Sequence, residues 1–403
     1  MQPITLSLGQ TAATGRKSRL SFVLRSTLAA GALTATMAVY SPLNAQMQET
    51  DTGNPPVFKA VAQEADRFSV FRPTGDRIDH TIDYSIWDFA LKQLVVSMGP
   101  STRQRPVILD GGVGTRLRQG HNSRFRVEGS MVFFSQLNQR AINSFTEYRE
   151  DLERVAGSLD MASLPRNEQL AFWFNLHNVA LMEQIAKAWP MRQPRTFEID
   201  GVPLDDARII TIRGISMSLR DIRENIVFAN WRDPRVIYGF WRGELGGPSL
   251  DREAFTGQNV DGLLTTRAQE YVSSLRGTEK RGRTLHVSTL YDETRRFYFL
   301  NFEADVRAHI SEFASEEVLE LVGKTEEVKA TIREWDIADL SGGRRDSIAQ
   351  INARPGLSAG AAEILRQRAV KLDRMRRNDQ PTGRVIFSPL ILPGDDPDKG
   401  TVE

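Results

Sequence analysis

One segment limits the folds open to this 403-residue chain more than any other. Leu170 to Trp189 reads LAFWFNLHNVALMEQIAKAW, and its spacing predicts a helix from Asn167 to Ala188 with apolar side chains on every face. A helix that is apolar all round has no side suited to water, so it must be buried on all sides. Pro190 then ends it. The rest of the domain must be built around this helix.

The other patterns predict a domain in which helices dominate. Ser218 and Asp221 have the spacing of a capping box for a helix from about Leu219 to Ala229. Asp233-Pro234 ends that helix, and Arg235–Tyr238 is predicted to be a short strand. Further helices are predicted at 82–94, 133–159, 260–275, 302–313 and 316–321, and strands at 197–202, 209–214, 284–288 and 297–300. The predicted fold class is α+β, predominantly helical, with a small mixed or antiparallel sheet packed around the central buried helix.

The first residues have the parts of a secretory signal peptide. Four basic residues between Arg16 and Arg25 precede an apolar run from about Ser26 to Tyr40, and small residues follow up to Ala45. An uncleaved anchor helix is the alternative, but the run is shorter than the roughly 20 apolar residues that a membrane span needs. We therefore expect cleavage near Ala45, a periplasmic or secreted protein, and no membrane span after processing.

Composition excludes several kinds of chemistry. The chain has no cysteine, which rules out disulfides, thiolate metal sites and a cysteine nucleophile together. Its formal charge is +1, and removing the four positive charges of the signal segment leaves about −3. A balance so close to neutral gives no reason to expect a nucleic acid or an anionic membrane as partner.

The patterns divide the chain into a signal peptide at 1–45, a flexible arm at 46–75, a folded domain at 76–340, a basic helical hairpin at 341–377 and a disordered tail at 378–403. Ile351–Arg368 is similar to a helix-hairpin-helix unit, which binds DNA phosphates through backbone amides. Residues 341–377 carry nine Lys or Arg against three Asp or Glu. Ser358, however, stands where such units have their second glycine. We therefore expect packing or partner docking here, with nucleic-acid binding as the alternative.

Several short stretches occur in an order that is typical of one family. The strongest is Leu170–Asn178, an aromatic pair followed by polar residues on the buried helix. The others are 82–87, 218–222, 233–235, 248–250, 252–257, 285–288 and 334–336. Together they resemble the domain of unknown function 547, found in exported bacterial proteins and in plants, over about residues 80–340. The resemblance implies an α+β domain and export, but it implies no agreed reaction.

The same resemblance identifies positions where reactive side chains are missing. Members of the family typically carry a histidine on a short strand, and then a glycine-containing loop with two cysteines before a proline. Aligned on Asp233-Pro-Arg235 and Pro248, these positions hold Ile237, Arg242 and Gly247. Because no nucleophile stands in its place, the resemblance favours a protein that binds without catalysis.

The predicted contact surface is a cleft between the buried helix and residues 238–250, YGFWRGELGGPSL. Its candidate binding residues are Asn175, Asn178, Arg242, Gly246 and Gly247, where glycine amides are suited to an anion nest or oxyanion hole. The alternative for the two asparagines is that they pin neighbouring loops to the helix. Arg242 and Glu244 are expected to pair with each other and with solvent, or to bind a carboxylate or sugar.

No catalytic residue is assigned, and the candidates are His177, Glu244 and Ser249. His177 is either a general base that lines the cleft or an interior histidine with satisfied hydrogen bonds. Ser249 lacks the spacing of a nucleophile elbow. If this alternative holds, the protein is a divergent hydrolase of cysteine-peptidase or transglutaminase-like ancestry that uses His177.

We expect neither a cofactor nor a metal. The five histidines show no repeated spacing, and Gly111-Gly112-Val-Gly114 lacks the strand and helix of a dinucleotide site. The leading interpretation is an exported, non-catalytic binding or envelope-associated module whose partner is an unknown protein or envelope component.

Overall fold

The computed structural model describes residues 67–75, 79–107, 120–345 and 358–382. Contacts divide the chain into two units, and every described residue belongs to the second, residues 62–403. Several predicted segments lie outside the described residues: the signal peptide, most of the arm, the first half of the C-terminal hairpin and most of the tail. The glycines at 111–114 also lie outside them. The predicted division of the chain into five segments therefore stays a prediction.

Helices make up most of the regular structure. They are α1 (Ser85–Leu94), α2 (Gln139–Ser158), α3 (Arg166–Ala188), α4 (Phe228–Asn230), α5 (Val260–Ser273), α6 (Thr289–Glu293), α7 (Arg295–Tyr298), α8 (Phe302–Phe313), α9 (Glu316–Gly323) and α10 (Ala359–Arg377). A π-helical segment, Asp221–Val227, leads directly into α4. Short 3-10 turns lie at Ser69–Phe71, Phe134–Gln136, Met161–Ser163, Pro194–Thr196 and Pro234–Gly239. No helix of the described residues is long and apolar enough to cross a membrane.

The strands are short and form small sheets. They are β1 (Val95–Ser97), β2 (Ser130–Val132), β3 (Glu198–Ile199), β4 (Val202–Pro203), β5 (Ile210–Ile212), β6 (Ile215–Met217), β7 (Thr278–Arg281), β8 (Thr284–Ser288) and β9 (Glu327–Ile332). The first six pair as antiparallel neighbours, β1 with β2, β3 with β4 and β5 with β6. The last three form one mixed sheet, in which β8 runs antiparallel to β7 and parallel to β9. The predicted α+β class is confirmed.

The central helix is α3, as its all-round apolar pattern predicted. Phe172, Trp173 and Phe174 are completely buried although they are consecutive and therefore point to different sides. Its neighbour α2 is joined to it by an ion pair in the interior, because the Arg149 Nε donates to the Glu183 carboxylate at 2.6 Å. Because α3 is surrounded by other segments on all sides, both its aromatic and its polar side chains reach neighbouring loops.

Two predicted strands were wrong. Residues 234–239 form a 3-10 turn, because Pro234 has the backbone angle of a helical start and the Asp233 carboxylate accepts the Arg235 amide at 2.8 Å. The aromatic run at 297–300 begins inside α7, and β8 pairs instead with β7 and β9. In both places side chains with a strand preference are held by local capping or by packing against helices.

Helix α10, the second helix of the predicted hairpin, packs on the domain. Ser358 caps it by accepting the Ala361 amide at 3.0 Å, which explains a serine where a hairpin glycine was expected. Ile364 joins an apolar cluster with Met98 and Met131, while the Lys371 ammonium donates to the Val127 carbonyl at 2.6 Å. Burial lowers the pKa of Lys371 to about 8. At least part of the positive charge of this helix therefore serves its own packing.

Candidate functional site: an arginine cleft

Three cavities share Arg195 and Arg242 in their walls. We call them together the arginine cleft. The largest has a volume of about 280 Å³ and the next about 110 Å³, and both also contain Arg220 and Arg223. Four carboxylates line these two cavities together with the four arginines, those of Asp205, Glu224, Glu244 and Glu293. The smallest cavity adds one charge of each sign, Arg333 and Glu334. The site is thus strongly polar, with its charges in balance.

A π-helical segment brings part of this charge to the cleft. Ser218 and Asp221 form the predicted capping box, in which Ser218 Oγ accepts the Asp221 amide at 3.0 Å and the Asp221 carboxylate accepts the Ser218 amide at 2.9 Å. From Asp221 the helix widens, and Arg223 and Glu224 of this widened turn line the largest cavity. Widened turns of this kind are rare and often mark functional sites.

Arg223 connects the cleft with the central helix. Its guanidinium forms a bidentate pair with Asp205, at 2.7 and 2.5 Å. Burial alone would raise the pKa of Asp205, but the Arg223 and Arg242 guanidiniums outweigh it and hold that pKa well below its usual range. On its other side, Arg223 Nη1 donates to His177 Nε2 at 3.1 Å. The carboxylate and the imidazole therefore both hold one arginine in place.

His177 is completely buried, and both of its ring nitrogens are occupied. Nε2 accepts from Arg223, so Nδ1 carries the proton and donates to Asn178 Oδ1 at 3.1 Å. Burial, followed by the positive charge of Arg223, holds the pKa of His177 well below its usual range. A general base needs a nitrogen free to accept a proton from the substrate. In this geometry His177 instead positions Arg223.

Among the four arginines of the two larger cavities, Arg242 has the longest contacts with its partners. Its Nη1 donates to Glu293 at 3.4 Å, and its Nη2 lies 3.8 Å from Asp205. Glu244 is not its partner, contrary to the expected pairing. Glu244 accepts from Arg195 Nε and Nη2, at 2.9 and 3.1 Å. Burial would lower the pKa of Arg242, but the surrounding carboxylates of Asp205, Glu293 and Glu244 raise it, so the guanidinium stays charged.

The glycines after Arg242 shape the loop and do not offer free amides. The Gly246 amide donates to the Glu334 carbonyl at 2.9 Å, and the Gly247 amide to the Glu244 carbonyl at 3.1 Å. A Cβ on Gly246 would lie 2.7 Å from the Glu334 nitrogen, so only glycine fits this close approach. These two amides are therefore not free to form the suggested oxyanion hole.

Ser249 lies in a separate polar group. Its hydroxyl donates to Glu270 at 3.2 Å and accepts from Arg276 Nη2 at 3.2 Å. Its partners in the described part of the chain include no histidine. A serine nucleophile needs an adjacent base to take its proton, and Glu270 is already held by Arg276. The structure therefore does not join Ser249 to His177.

The two asparagines of the central helix pin loops to it. Asn175 exchanges two hydrogen bonds with the backbone of Phe255, at 2.7 and 3.1 Å. Asn178 donates to the Gly239 carbonyl and accepts the Trp241 amide, both at 3.0 Å. Neither asparagine lines the arginine cleft, but Asn178 holds the backbone immediately before Arg242. Direct ligand contact by either asparagine stays a prediction.

Two of the positions at which the family resemblance places reactive groups meet in one cavity. Ile237 and Arg242 both line the largest cavity of the cleft, and Gly247 lines the smallest one together with Arg242. The alignment thus indicated a real cavity. The partners Arg195, Asp205, Arg223 and Glu293 were missed, because they come from separate segments and no local motif joins them. The π-helical turn has no sequence signal that we recognise.

The fold and the cleft together define an α+β domain with a buried central helix and a polar, arginine-lined cavity beside it. Residues 161–272 match the family model described as "Protein of unknown function, DUF547", and this part of the chain is a DUF547 domain. The match includes α3, the π-helical segment and Arg242, but it is narrower than the expected range of 80–340. No curated protein and no solved structure matches the chain significantly.

Proposed function

We propose that this protein is an exported binding module, and that its arginine cleft holds a small organic monoanion on Arg242. The position of Arg242 carries the proposal. It replaces a candidate cysteine of the family, lines all three cavities of the cleft, and makes only long contacts with its neighbours. A guanidinium with only long contacts to its neighbours has N–H donors left for a bidentate contact with a carboxylate.

The charge balance of the cleft supports a ligand with a single charge. Arginines and carboxylates are equal in number in its two larger cavities, four of each, so a bound monoanion adds one negative charge. A polyanion would add several and be repelled by Asp205 and Glu293. The wall is also rich in donors and acceptors for hydroxyl groups. A monocarboxylate that carries hydroxyls fits both properties.

Export is supported by the order of the first residues, a basic region, an apolar run and small residues up to Ala45. We expect the mature chain to begin at Gln46. Intact-mass measurement of protein recovered from the periplasmic or secreted fraction checks this directly. A mass that includes residues 1–45 would contradict cleavage, and recovery from the cytoplasm alone would contradict export.

The binding proposal predicts the behaviour of Arg242→Gln. Glucuronate, as a hydroxylated monocarboxylate probe, should raise the melting temperature of the purified protein, whereas glucose, the neutral counterpart, should not. Arg242→Gln should reduce glucuronate affinity by about tenfold or more, because a charged hydrogen bond is lost. Thermal unfolding measures the change in melting temperature, and titration calorimetry measures the affinities. Arg242→Lys keeps the charge but not the planar fork, and is expected to bind with intermediate affinity.

Arg154→Gln is the matched control, because its side chain is 74% exposed on α2 and lies outside the cleft. This variant should bind glucuronate like the wild type. Equal affinity of wild type and Arg242→Gln would refute the assignment to Arg242. A failure of every hydroxylated monocarboxylate in a panel of such probes would refute the ligand class.

A further inference from the structure

A second polar groove adjoins the smallest cavity of the cleft. Its volume is about 560 Å³, within the range of roughly 300–1,000 Å³ in which ligand sites fall. Ile332, Arg333 and Glu334 line both the groove and that cavity. Arg124, Arg192 and Arg281 line the groove and none of the three cavities of the cleft, and the groove is not needed for the function proposed above.

Four arginines from different segments converge on the groove, Arg124, Arg192, Arg281 and Arg333. Two lining carboxylates, Glu334 and Asp336, face them. A third, Glu279, is shared by Arg124 and Arg281, so the cations still outnumber the carboxylates. In this respect the groove differs from the arginine cleft, whose charges balance. It is suited to a ligand with more than one negative charge.

Arg333 is the clearest anchor for such a ligand. Its guanidinium makes no ion pair or hydrogen bond with the described residues, and its Cζ lies 5.2 Å from the centre of the Trp335 ring. Arg124 stacks in the same way on Phe125, at 4.6 Å. Stacking limits the motion of a guanidinium while its N–H edge stays available, so less entropy is lost when an oxyanion binds.

Arg281 is a second guanidinium whose charge is only partly neutralised. Its Nε and Nη2 both contact Glu279 Oε2, at 2.7 and 2.5 Å, while Arg124 uses both oxygens of the same carboxylate, at 2.6 and 3.0 Å. One carboxylate therefore neutralises two guanidiniums only in part. Arg281 and Arg333 together give the groove two places for an oxyanion.

The remaining wall indicates what kind of polyanion fits. It contains the polar side chains of Asn122, Ser123, Gln193 and Thr331, and only Phe125 and Ile332 are apolar. Such a wall offers hydrogen bonds to many hydroxyl groups but few pockets for apolar side chains of a peptide. We propose that this groove binds an acidic polysaccharide, with carboxylates on Arg281 and Arg333 and hydroxyl groups on the amides and hydroxyls between them.

The test compares three polymers on the purified chain. Polygalacturonate should bind, and its affinity should fall as salt is added, because ion pairs with exposed arginines are screened. Dextran lacks the charge and polyglutamate lacks the sugar hydroxyls, so each should bind about tenfold more weakly or worse. Absence of polygalacturonate binding at low ionic strength, or equal binding of polyglutamate, would overturn the proposal.

The variants locate the site. Arg281→Gln with Arg333→Gln should weaken polygalacturonate binding by about tenfold or more, since two charged contacts are lost. Both side chains are exposed, so the fold should be kept, and an unchanged melting temperature checks this. Arg154→Gln should leave the affinity within about twofold. Equal weakening by Arg154→Gln would show binding by general charge and contradict the groove. Glucuronate binding to Arg242 is measured separately on Arg281→Gln alone and should not change, because Arg281 does not line the arginine cleft.

Discussion

Asn178→Ala is expected to lower the free energy of unfolding by about 4 kcal/mol, because two buried backbone groups lose their partner at once. The Gly239 carbonyl and the Trp241 amide both bond to this side chain at 3.0 Å, and His177 donates to it as well. The residue is 2% exposed, so water cannot replace the lost bonds. Urea unfolding, with the slope compared between variants, measures the change.

The control is Asn143→Ala on the exposed side of α2, where Asn143 accepts only from the Gln139 side chain at 2.9 Å. This change should alter the free energy of unfolding by less than about 0.5 kcal/mol. Because Asn178 also fixes the backbone before Arg242, glucuronate binding by Asn178→Ala should weaken while the protein is still folded. A loss of stability no larger than that of Asn143→Ala would show that the loop is held by other contacts.

The central helix could be predicted because its sequence permits only one environment. A helix with Phe172, Trp173 and Phe174 in a row has no face that water can cover, so its burial follows from the residues alone. The capping box at Ser218 and Asp221 could be predicted for a different reason. Its two hydrogen bonds join residues three apart, and neither depends on the rest of the fold.

The strand predicted at Arg235–Tyr238 shows where local preference fails. Val236, Ile237 and Tyr238 favour strands, but Asp233 and Pro234 fix the first turn of a 3-10 helix, and all three apolar side chains are buried in that conformation. The apolar character of these residues agrees with their burial, but the predicted strand was wrong. Apolar runs of this length do not distinguish a buried turn from a buried strand.

The ion pairs and hydrogen bonds of the arginine cleft could not be predicted from the sequence. Arg195 meets Glu244 across 49 positions, and Arg223 meets His177 across 46. With 52 basic and 51 acidic residues in the chain, too many pairings are open for any one to be chosen without the fold. The family resemblance helped to locate the cleft only through the positions that it aligned with reactive residues. Two of these positions, Ile237 and Arg242, line one cavity.

The second large effect is expected in acid, at His309. Its ring lies among aromatic side chains, Nε2 bonds to the Tyr238 hydroxyl at 2.8 Å, and Nδ1 is buried with no hydrogen-bond partner among the described residues. Burial lowers the pKa of His309 from 6.5 to about 4. Between these values the unfolded chain binds a proton that the folded protein does not, so stability falls as the pH falls through this window. By pH 4 the loss from this one residue should be about 3 kcal/mol.

His309→Phe should remove this loss. The phenyl ring has a similar size and suits the surrounding rings of Tyr238, Phe299 and Phe313, while Tyr238 keeps its hydrogen bond to the Tyr291 hydroxyl at 3.1 Å. Urea unfolding at steps from pH 6.5 to pH 4 should therefore show a shallower decline for the variant than for the wild type. Burial also lowers the pKa values of His177 and His121, so part of the decline should persist.

His80 provides the control, because its ring is exposed in the folded protein and loses little water on folding. In a plot of the free energy of unfolding against pH, His80→Phe should keep the wild-type slope between pH 6.5 and pH 4. The slope of His309→Phe should be shallower by the contribution of about one bound proton. Parallel curves for wild type and His309→Phe would mean that His309 gains a proton without cost in the folded state. That result would require its Nδ1 to reach water or an acceptor, and it would contradict the sealed aromatic surroundings on which this prediction depends.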